Sequence, residues 1–491
     1  MSGPDLIVCL AYLLLIVWVG QRAMRRTSAT VTASETATEY HLAGRSASGI
    51  TIGLSVMVTA FSASNFVLFP SEVAGHGLYV TASLPVFVIV AWPVMSRAMP
   101  FLYKQGDATA YGWLERRHGP VVRRLASALF LIWRLLWMGL TLLAAARFLA
   151  LVTGWPVTPL IIVTALVATV YTSLGGLRAV LWTDVAQFVV LIAAIVVAMV
   201  LTASRAGGFS QMWTTVKEAG GLVPFAPRDP QFLSFDPRIR ITLSSGLIGT
   251  FVAFLSRYVA DQSIVQRYLA ARSLREARRG FVWNVVGALL STGMLLVLGL
   301  AVRANAAGDV ALAVRPAAAQ LAAMMAALPA GALGLVTAGL LAATMSSLDS
   351  GLHSCATSWQ TDWVSDRAEP AQPGPVSLRR SQWIVFFMGL AAAALALAAQ
   401  GLGDLFLLAN RVVNGMGSPL LALMLAAMLK RGITQRGLVV GTLAGTVVSA
   451  ILTAVVQPLA MHHYATLNFG ATFLLIVICS LLFPLSGRGP G

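Results

Sequence analysis

Two arginines interrupt apolar runs. Arg134 lies in Ser127-Ala-Leu-Phe-Leu-Ile-Trp-Arg-Leu-Leu-Trp-Met-Gly-Leu, and Arg257 in Phe254-Leu-Ser-Arg-Tyr-Val-Ala-Asp-Gln. Placing a guanidinium in hydrocarbon costs about 3 kcal/mol even on lenient scales. A chain accepts that cost when the charge faces a wet cavity, pairs internally or holds an anion. A guanidinium grips a carboxylate through two parallel hydrogen bonds, which fix orientation as well as charge. Arg134 is thus a candidate substrate ligand, with an internal pair to Asp261 or Asp349 as the alternative. Arg257 either lines the same cavity or snorkels to the inner face. Thr59, Ser62, Ser64 and Asn65 form a polar centre in another apolar run, Gly53 to Pro70. With Ser83 and Tyr258 they are further candidate substrate contacts, each equally explicable by packing.

The elements that carry these residues are membrane spans. The 491 residues are 58% hydrophobic and 11% charged, with a mean hydropathy of +0.80. Soluble domains carry about a quarter charged residues. The net charge of +16 is spread over short loops between apolar runs, as topology signals are, so nucleic acid is not an expected partner. Cys9, Cys355 and Cys479 are far apart and lack disulfide or metal spacing. The first apolar run has Asp5 before it and arginines after it, the reverse of a signal peptide, and reads as a membrane helix.

A crossing helix needs about 20 residues. About thirteen runs qualify, near 5–21, 48–73, 78–102, 124–152, 157–174, 181–204, 241–262, 281–303, 331–358, 382–400, 404–429, 436–457 and 466–485. The fold class is therefore an all-α polytopic membrane protein, one transporter domain over 1–491. Basic residues gather in alternate loops: Arg22, Arg25, Arg26 and Arg45; Lys104 to Arg124; Arg267 to Arg279; Arg367, Arg379 and Arg380; Lys430, Arg431 and Arg436. The positive-inside rule puts these loops in the cytoplasm, the N-terminus outside and the C-terminus inside. Two spans make poor hydrocarbon helices: the second, with its polar centre, and the seventh, broken at Ser256, Arg257, Asp261 and Gln262. They start five spans apart and so cross in opposite directions. A pair of interrupted helices in matching positions of two inverted halves points to the binding site of a secondary transporter.

Five features resemble the sodium/solute symporter family: Glu39-Tyr-His-Leu-Ala-Gly-Arg-Ser; Tyr171-Thr-Ser-Leu-Gly-Gly-Leu-Arg-Ala-Val-Leu-Trp-Thr-Asp-Val-Ala-Gln; Asp261-Gln-Ser-Ile-Val-Gln-Arg-Tyr-Leu-Ala-Ala-Arg-Ser; Ala343-Thr-Met-Ser-Ser-Leu-Asp-Ser; and the thirteen-span layout. The resemblance implies a leucine-transporter-type fold. Five-plus-five inverted repeats would run over 48–204 and 241–429, with 5–21, 436–457 and 466–485 as peripheral spans. It implies sodium-driven uptake of a small solute, with Na+ as the coupled ion.

Ala343, Ser346 and Ser347 share a helix face at three- and four-residue spacing and offer one carbonyl and two hydroxyls. The resemblance adds the carbonyls of Val58 and Phe61 to complete a sodium site. The alternative is that both serines bond to their preceding turn. A possible second sodium site combines Asp184 with Ser346, Asp349 and Ser350. Asp349 stands where the sialic-acid branch has a hydroxyl. The two acids could strengthen that site or share a proton. Arg134 stands where the same branch keeps an arginine for the substrate carboxylate. The solute is accordingly expected to be anionic, a sialic acid or a monocarboxylate, with a sugar or other neutral solute as the alternative.

Two other classes fit the sequence less well than a symporter. A transport-like sensor is expected to carry a soluble signalling domain, and only a handful of residues follow the last span. A membrane enzyme needs a metal cluster, a nucleotide loop or a nucleophile and base, and none appears at usable spacing. The expected partners are the solute and the lipid bilayer, with no obligate protein partner, and the expected location is the cell membrane.

Overall fold

The computed structural model describes residues 1–28, 36–218, 231–236, 238–364, 375–401, 405–429, 432–455 and 463–483. Among these it is helical, with a single isolated bridge, Ala47 to Ala271. The elements that matter below are α1 (Gly3–Ser28), α2 (Gly49–Ala60), α3 (Ala63–His76), α4 (Pro120–Thr153), α5 (Val157–Leu174), α6 (Leu177–Arg205), α7 (Thr250–Ala260), α8 (Gln262–Leu269), α9 (Leu274–Ala307), α10 (Ala332–Trp359), α11 (Pro375–Ala398), α12 (Leu405–Met428), α13 (Gln435–Val455) and α14 (His463–Leu482). A composite span, Leu78–Gln105, lies between α3 and α4.

Nine helices among the described residues are long and apolar enough to cross a membrane, or ten with the bent pair α2 and α3. Shorter apolar helices at Val157–Ser173, Ser245–Ala260 and Gly415–Met428 fall on three further expected spans, and Ala317–Ala326 on none. Length and apolarity alone therefore do not fix the count at thirteen. Arg367, Lys430 and Arg431 of the expected basic loops lie outside the described residues, as do the side chains of Arg25 and Arg26.

Burial sorts the spans by role. In α10, 83% of the apolar window is enclosed by protein, against 17% in α1 and 22% in the span Arg379–Gly401 that overlaps α11. α10 is the axis of the bundle, packed against α6, α4, α1 and α11. Its outer neighbours present Leu14, Val189 and Phe387 to the surroundings, as lipid-facing helices do. α2 rests on α9, and Gly53 makes that approach possible. A Cβ there would meet the Trp283 Cβ at 2.4 Å and the Gly280 carbonyl at 2.5 Å. Small residues at the crossing replace the hydrophobic driving force that lipid removes.

Stretches far apart in sequence meet in a collar at one end of the bundle. Arg178 holds Glu39 through two hydrogen bonds of 2.6 and 3.0 Å. Gln266 donates to the His41 carbonyl at 2.6 Å, and the His353 ring meets the Tyr40 carbonyl at 3.0 Å. The collar ties the chain ahead of α2 to α6, α8 and α10, and so fixes the approach to the broken span.

Candidate functional site

The second span breaks at two residues. α2 ends at Ala60, α3 begins at Ala63, and their axes differ by 64°. Phe61 and Ser62 between them are extended. The Ser62 amide and hydroxyl both donate to the Asn65 Oδ1, at 3.1 and 3.2 Å. That arrangement satisfies the amide of the residue that precedes α3 and fixes the start of the helix. Ser62 and Asn65, expected as substrate contacts, thus build the break. The seventh span breaks at one residue: Asp261 is extended, and its Oδ1 accepts from the Ser263 amide at 2.8 Å to start α8. Ser256, Arg257 and Gln262 stay helical.

The hydroxyls of α10 reach across to the end of α2. Ser346 Oγ lies 3.1 Å from the Val58 carbonyl and 3.1 Å from the Ala343 carbonyl. Ser347 Oγ lies 3.5 Å from the Thr59 carbonyl. One hydroxyl proton cannot serve two carbonyls at once, so the Ser346 cluster holds more acceptor oxygens than donors. A hard cation suits such an all-oxygen cluster. Ser346 thus reaches the carbonyl of its own preceding turn and, at the same distance, that of Val58 across the gap, while Ser347 reaches α2. Phe61 lies at the same break, and its amide donates to the Met57 carbonyl at 2.9 Å.

Next to this cluster is a cleft lined by Thr59, Ala60, Trp133, Arg134, Trp137, Arg257, Asp261 and Ile264. About 10 Å³ is open within it, room for about one water. Arg134 is buried. Its Nη2 donates to the Ser347 carbonyl at 3.1 Å, and its Nη1 lies 3.5 Å from Asp261 Oδ2. That ion pair is longer than the roughly 2.7–2.9 Å of a good charge-assisted bond. The Arg134 Nε has no hydrogen-bond partner among the described residues. Arg257 Nη1 donates to the Ala60 carbonyl at 3.2 Å, and the guanidinium lies 6.0 Å from the Phe254 ring. The cleft therefore holds two guanidinium groups against one carboxylate.

Thr59 lines this cleft, while Ser62, Ser64, Asn65, Ser83 and Tyr258 do not. The Thr59 hydroxyl is 2.8 Å from that of Ser350. Ser64 is buried. Ser83 donates to its own turn, at the Val80 carbonyl, 2.7 Å away. Tyr258 accepts from Asn284 at 3.1 Å and packs edge-on against Phe281, 4.7 Å between ring centres.

A second polar centre surrounds Asp184. Its Oδ2 accepts from Ser55 Oγ at 2.5 Å and from Arg267 Nη2 at 2.9 Å. Arg267 also donates to Ser55 Oγ at 2.7 Å, to the Ser350 hydroxyl and to the Ser263 carbonyl. Counting Arg267 among the cytoplasmic loop arginines needs correction: it is fully buried in α8. Its guanidinium takes Asp184 Oδ2 and Ser350, two of the oxygens expected for a second sodium. Asp349 Oδ1 accepts from Thr172 at 2.9 Å. Asp184 Oδ1 and Asp349 Oδ2 are buried without a hydrogen-bond partner among the described residues.

Sequence reasoning read Arg267 as a loop charge and gave no role to Trp133, Trp137 or Gly351. A Cβ on Gly351 would lie 2.5 Å from the Met138 Sδ and 2.9 Å from the Arg134 Nε. The glycine in the Asp349-Ser350-Gly351 run was the only available signal, and its meaning depends on which helix lies opposite.

Two broken spans around a central polar cleft, in an all-helical bundle, define a leucine-transporter-type membrane transporter. Residues 40–445 match the sodium:solute symporter family, and the chain belongs to it. It is similar to the sodium-coupled monocarboxylate transporter 2 of Danio rerio, 26% identical over 83% of this chain and 65% of that one. It is also similar to the human sodium/iodide cotransporter, 29% identical over 54% of this chain and 40% of that one. The sodium-dependent multivitamin transporter of Oryctolagus cuniculus is 27% identical over 83% and 64%. The chain thus spans less than two thirds of the length of these curated relatives. Among solved structures, a substrate-bound, outward-open Na+-coupled sialic acid symporter shares the fold, with a TM-score of 0.85, 22% identity and 98% coverage of both chains. A nucleobase-cation-symport-1 family transporter in a closed conformation follows at a TM-score of 0.60 and 14% identity, covering 92% and 95%. The relatives are transporters, not enzymes.

Proposed function

We propose that this protein is a sodium-coupled symporter that imports a small organic anion by alternating access. One observation carries the reading: Ser347 serves both sites. Its hydroxyl faces the end of α2, beside the Ser346 oxygens, and its carbonyl accepts from Arg134. A sodium ion on Val58, Phe61, Ala343, Ser346 and Ser347 would draw α10 and the end of α2 together. The same movement sets the carbonyl that orients Arg134. The solute carboxylate then takes the Nε and Nη2 edge of Arg134, while Asp261 lies at 3.5 Å on the Nη1 side. Arg257 supplies the positive charge that Asp261 does not offset, and Trp133 and Trp137 bound the apolar part of the solute. Two relatives named for monocarboxylates and iodide support an anionic solute.

The two broken spans lie in inverted repeats, 48–204 and 241–429, that rock against each other. The protein sits in the cell membrane with its N-terminus outside and its C-terminus in the cytoplasm. A second cation would use Asp184 Oδ1 and Asp349 Oδ2, the two carboxylate oxygens left without donors.

Thermal-shift screening of purified protein against monocarboxylates, sialic acids, sugars and amino acids, with and without sodium, tests the reading. Stabilisation by a carboxylate only when sodium is present supports it. Uptake of that carboxylate into proteoliposomes should follow an inward sodium gradient. Arg134→Lys keeps the charge but loses the planar fork. It should raise the apparent KM about tenfold or more and leave sodium affinity intact. Tight binding of an uncharged sugar, unaffected by Arg134→Lys, overturns the anionic solute. Sodium-free uptake driven by a pH gradient overturns sodium coupling.

A further inference from the structure

The first turns of α9 carry Arg275, Arg278 and Arg279, and Arg272 stands just before them, around one acid, Glu276. Glu276 pairs with Arg279 at 2.8 Å and with Arg272 at 3.6 Å. Arg275 and Arg278 have no acidic partner among the described residues. Arg278 Nε donates to the Met95 carbonyl of the composite span at 3.1 Å, which holds its guanidinium beside that span. Between the two elements is a cavity of about 680 Å³, lined by Trp92, Met95, Leu274, Arg275, Arg278 and Val282 among others. A π-helical turn, Val94–Ala98, widens the composite span at this point.

The walls of this groove change character along the helix axes. Arginines stand at one end. Beyond them Trp92 is 69% exposed and Val282 50% exposed. Val88 and Ile89 continue the apolar strip on one helix and Val286 on the other, all exposed. In a bilayer-spanning chain, exposed apolar side chains meet acyl chains, and arginines at span ends lie at headgroup depth. A groove that is apolar along its length and cationic at its end matches an amphiphile with a negative head. A zwitterionic lipid brings its own ammonium group into the arginine cluster, whereas an anionic lipid does not.

We propose that this groove binds an anionic phospholipid, with its phosphate between Arg275 and Arg278 and an acyl chain along Trp92 and Val282. Such a lipid bridges the composite span and α9, the helix on which α2 rests. The site is separate from the central cleft and does not depend on the identity of the solute.

Trp92 is a built-in reporter. The full-length protein is reconstituted in nanodiscs containing either brominated phosphatidylglycerol in plain phosphatidylcholine or the reverse. Trp92 quenching is taken as the difference between the wild type and Trp92→Phe. Brominated phosphatidylglycerol should quench beyond its mole fraction and saturate, and brominated phosphatidylcholine should not. A juxtamembrane arginine contributes about 1 kcal/mol, or about fivefold, to anionic-lipid preference. Arg275→Gln and Arg278→Gln should each lower the preference by about that factor, and the double variant should abolish it at an unchanged melting temperature. Equal quenching by the two lipids in the wild type overturns the proposal without any variant. So does complete loss of the preference on adding millimolar inorganic phosphate, which would make this a free-anion site. A double variant that folds and keeps the full preference also overturns it.

Discussion

Arg134 and Arg267 are both buried arginines in helices, yet their surroundings differ. Arg267 donates to two serine hydroxyls, a carbonyl and a carboxylate. Arg134 has one carbonyl, one carboxylate at 3.5 Å and an unpartnered Nε. A buried cation whose donors are all engaged acts as part of the scaffold. One with unused donors facing a cleft can accept a ligand, because the ligand replaces bonds that the protein does not make. On the proposed function, the difference separates a structural lock on Asp184 from a group with a donor to spare for a solute.

The largest expected effect tests the lock. Arg267→Met leaves Asp184 buried beside Ser55 alone. Removing one partner of a buried ion pair costs about 3–5 kcal/mol, so thermal unfolding in detergent should shift down strongly or the protein should fail to fold. Arg134→Ala should melt near the wild type and lose solute binding. Equal melting losses in the two variants would erase the distinction.

Ser346→Ala with Ser347→Ala should come next. Two hydroxyls are lost and helix propensity hardly changes. Membrane insertion should be normal, and sodium-stimulated uptake should disappear. Full sodium dependence in that double variant would move the cation away from α10 and break the link through Ser347.

Gly351→Ala sharpens the comparison from the side of packing. Its Cβ forces Met138 and Arg134 to shift, at about 1–3 kcal/mol. Adding Met138→Ala should recover much of the melting temperature but not the solute affinity, because the encounter with Nε remains. Recovery of both would make Arg134 indifferent to its exact placement.

The smallest effect concerns Asp349. Its Oδ2 is free, while Asp184 is committed to Arg267 through Oδ2. Asp349→Asn should lower the Hill coefficient for sodium from near two towards one, measured at saturating solute, and change stability little. A wild-type coefficient of one would remove the second cation.

Much of this was open to the sequence. Apolar runs of about 20 residues read as spans because hydrocarbon cannot satisfy backbone groups outside a helix. The break in the second span was visible in its polar centre, Thr59, Ser62, Ser64 and Asn65, and that in the seventh in Ser256, Arg257, Asp261 and Gln262, of which only Asp261 leaves the helix. The hydroxyl face of α10 followed from helical spacing alone. Arg134 stood out because a lone charge in an apolar run is costly wherever it points. Arg267 was less legible, since a charge near a span end reads the same whether it snorkels outward or turns inward. Ser62, Asn65 and Ser83 make local hydrogen bonds, a use that composition cannot separate from lining a cavity.

Local chemistry therefore settled which residues must be helical, where the helices must break and which charges need an explanation. Partnership across the bundle was decided only by the fold: that Arg267 reaches Asp184, that Ser347 offers its hydroxyl to α2 and its carbonyl to Arg134, and that Gly351 leaves room for a guanidinium. Helix formation and capping depend on residues within about four positions of each other. A buried hydrogen bond depends on which helix lies opposite, and no short stretch of chain contains that information.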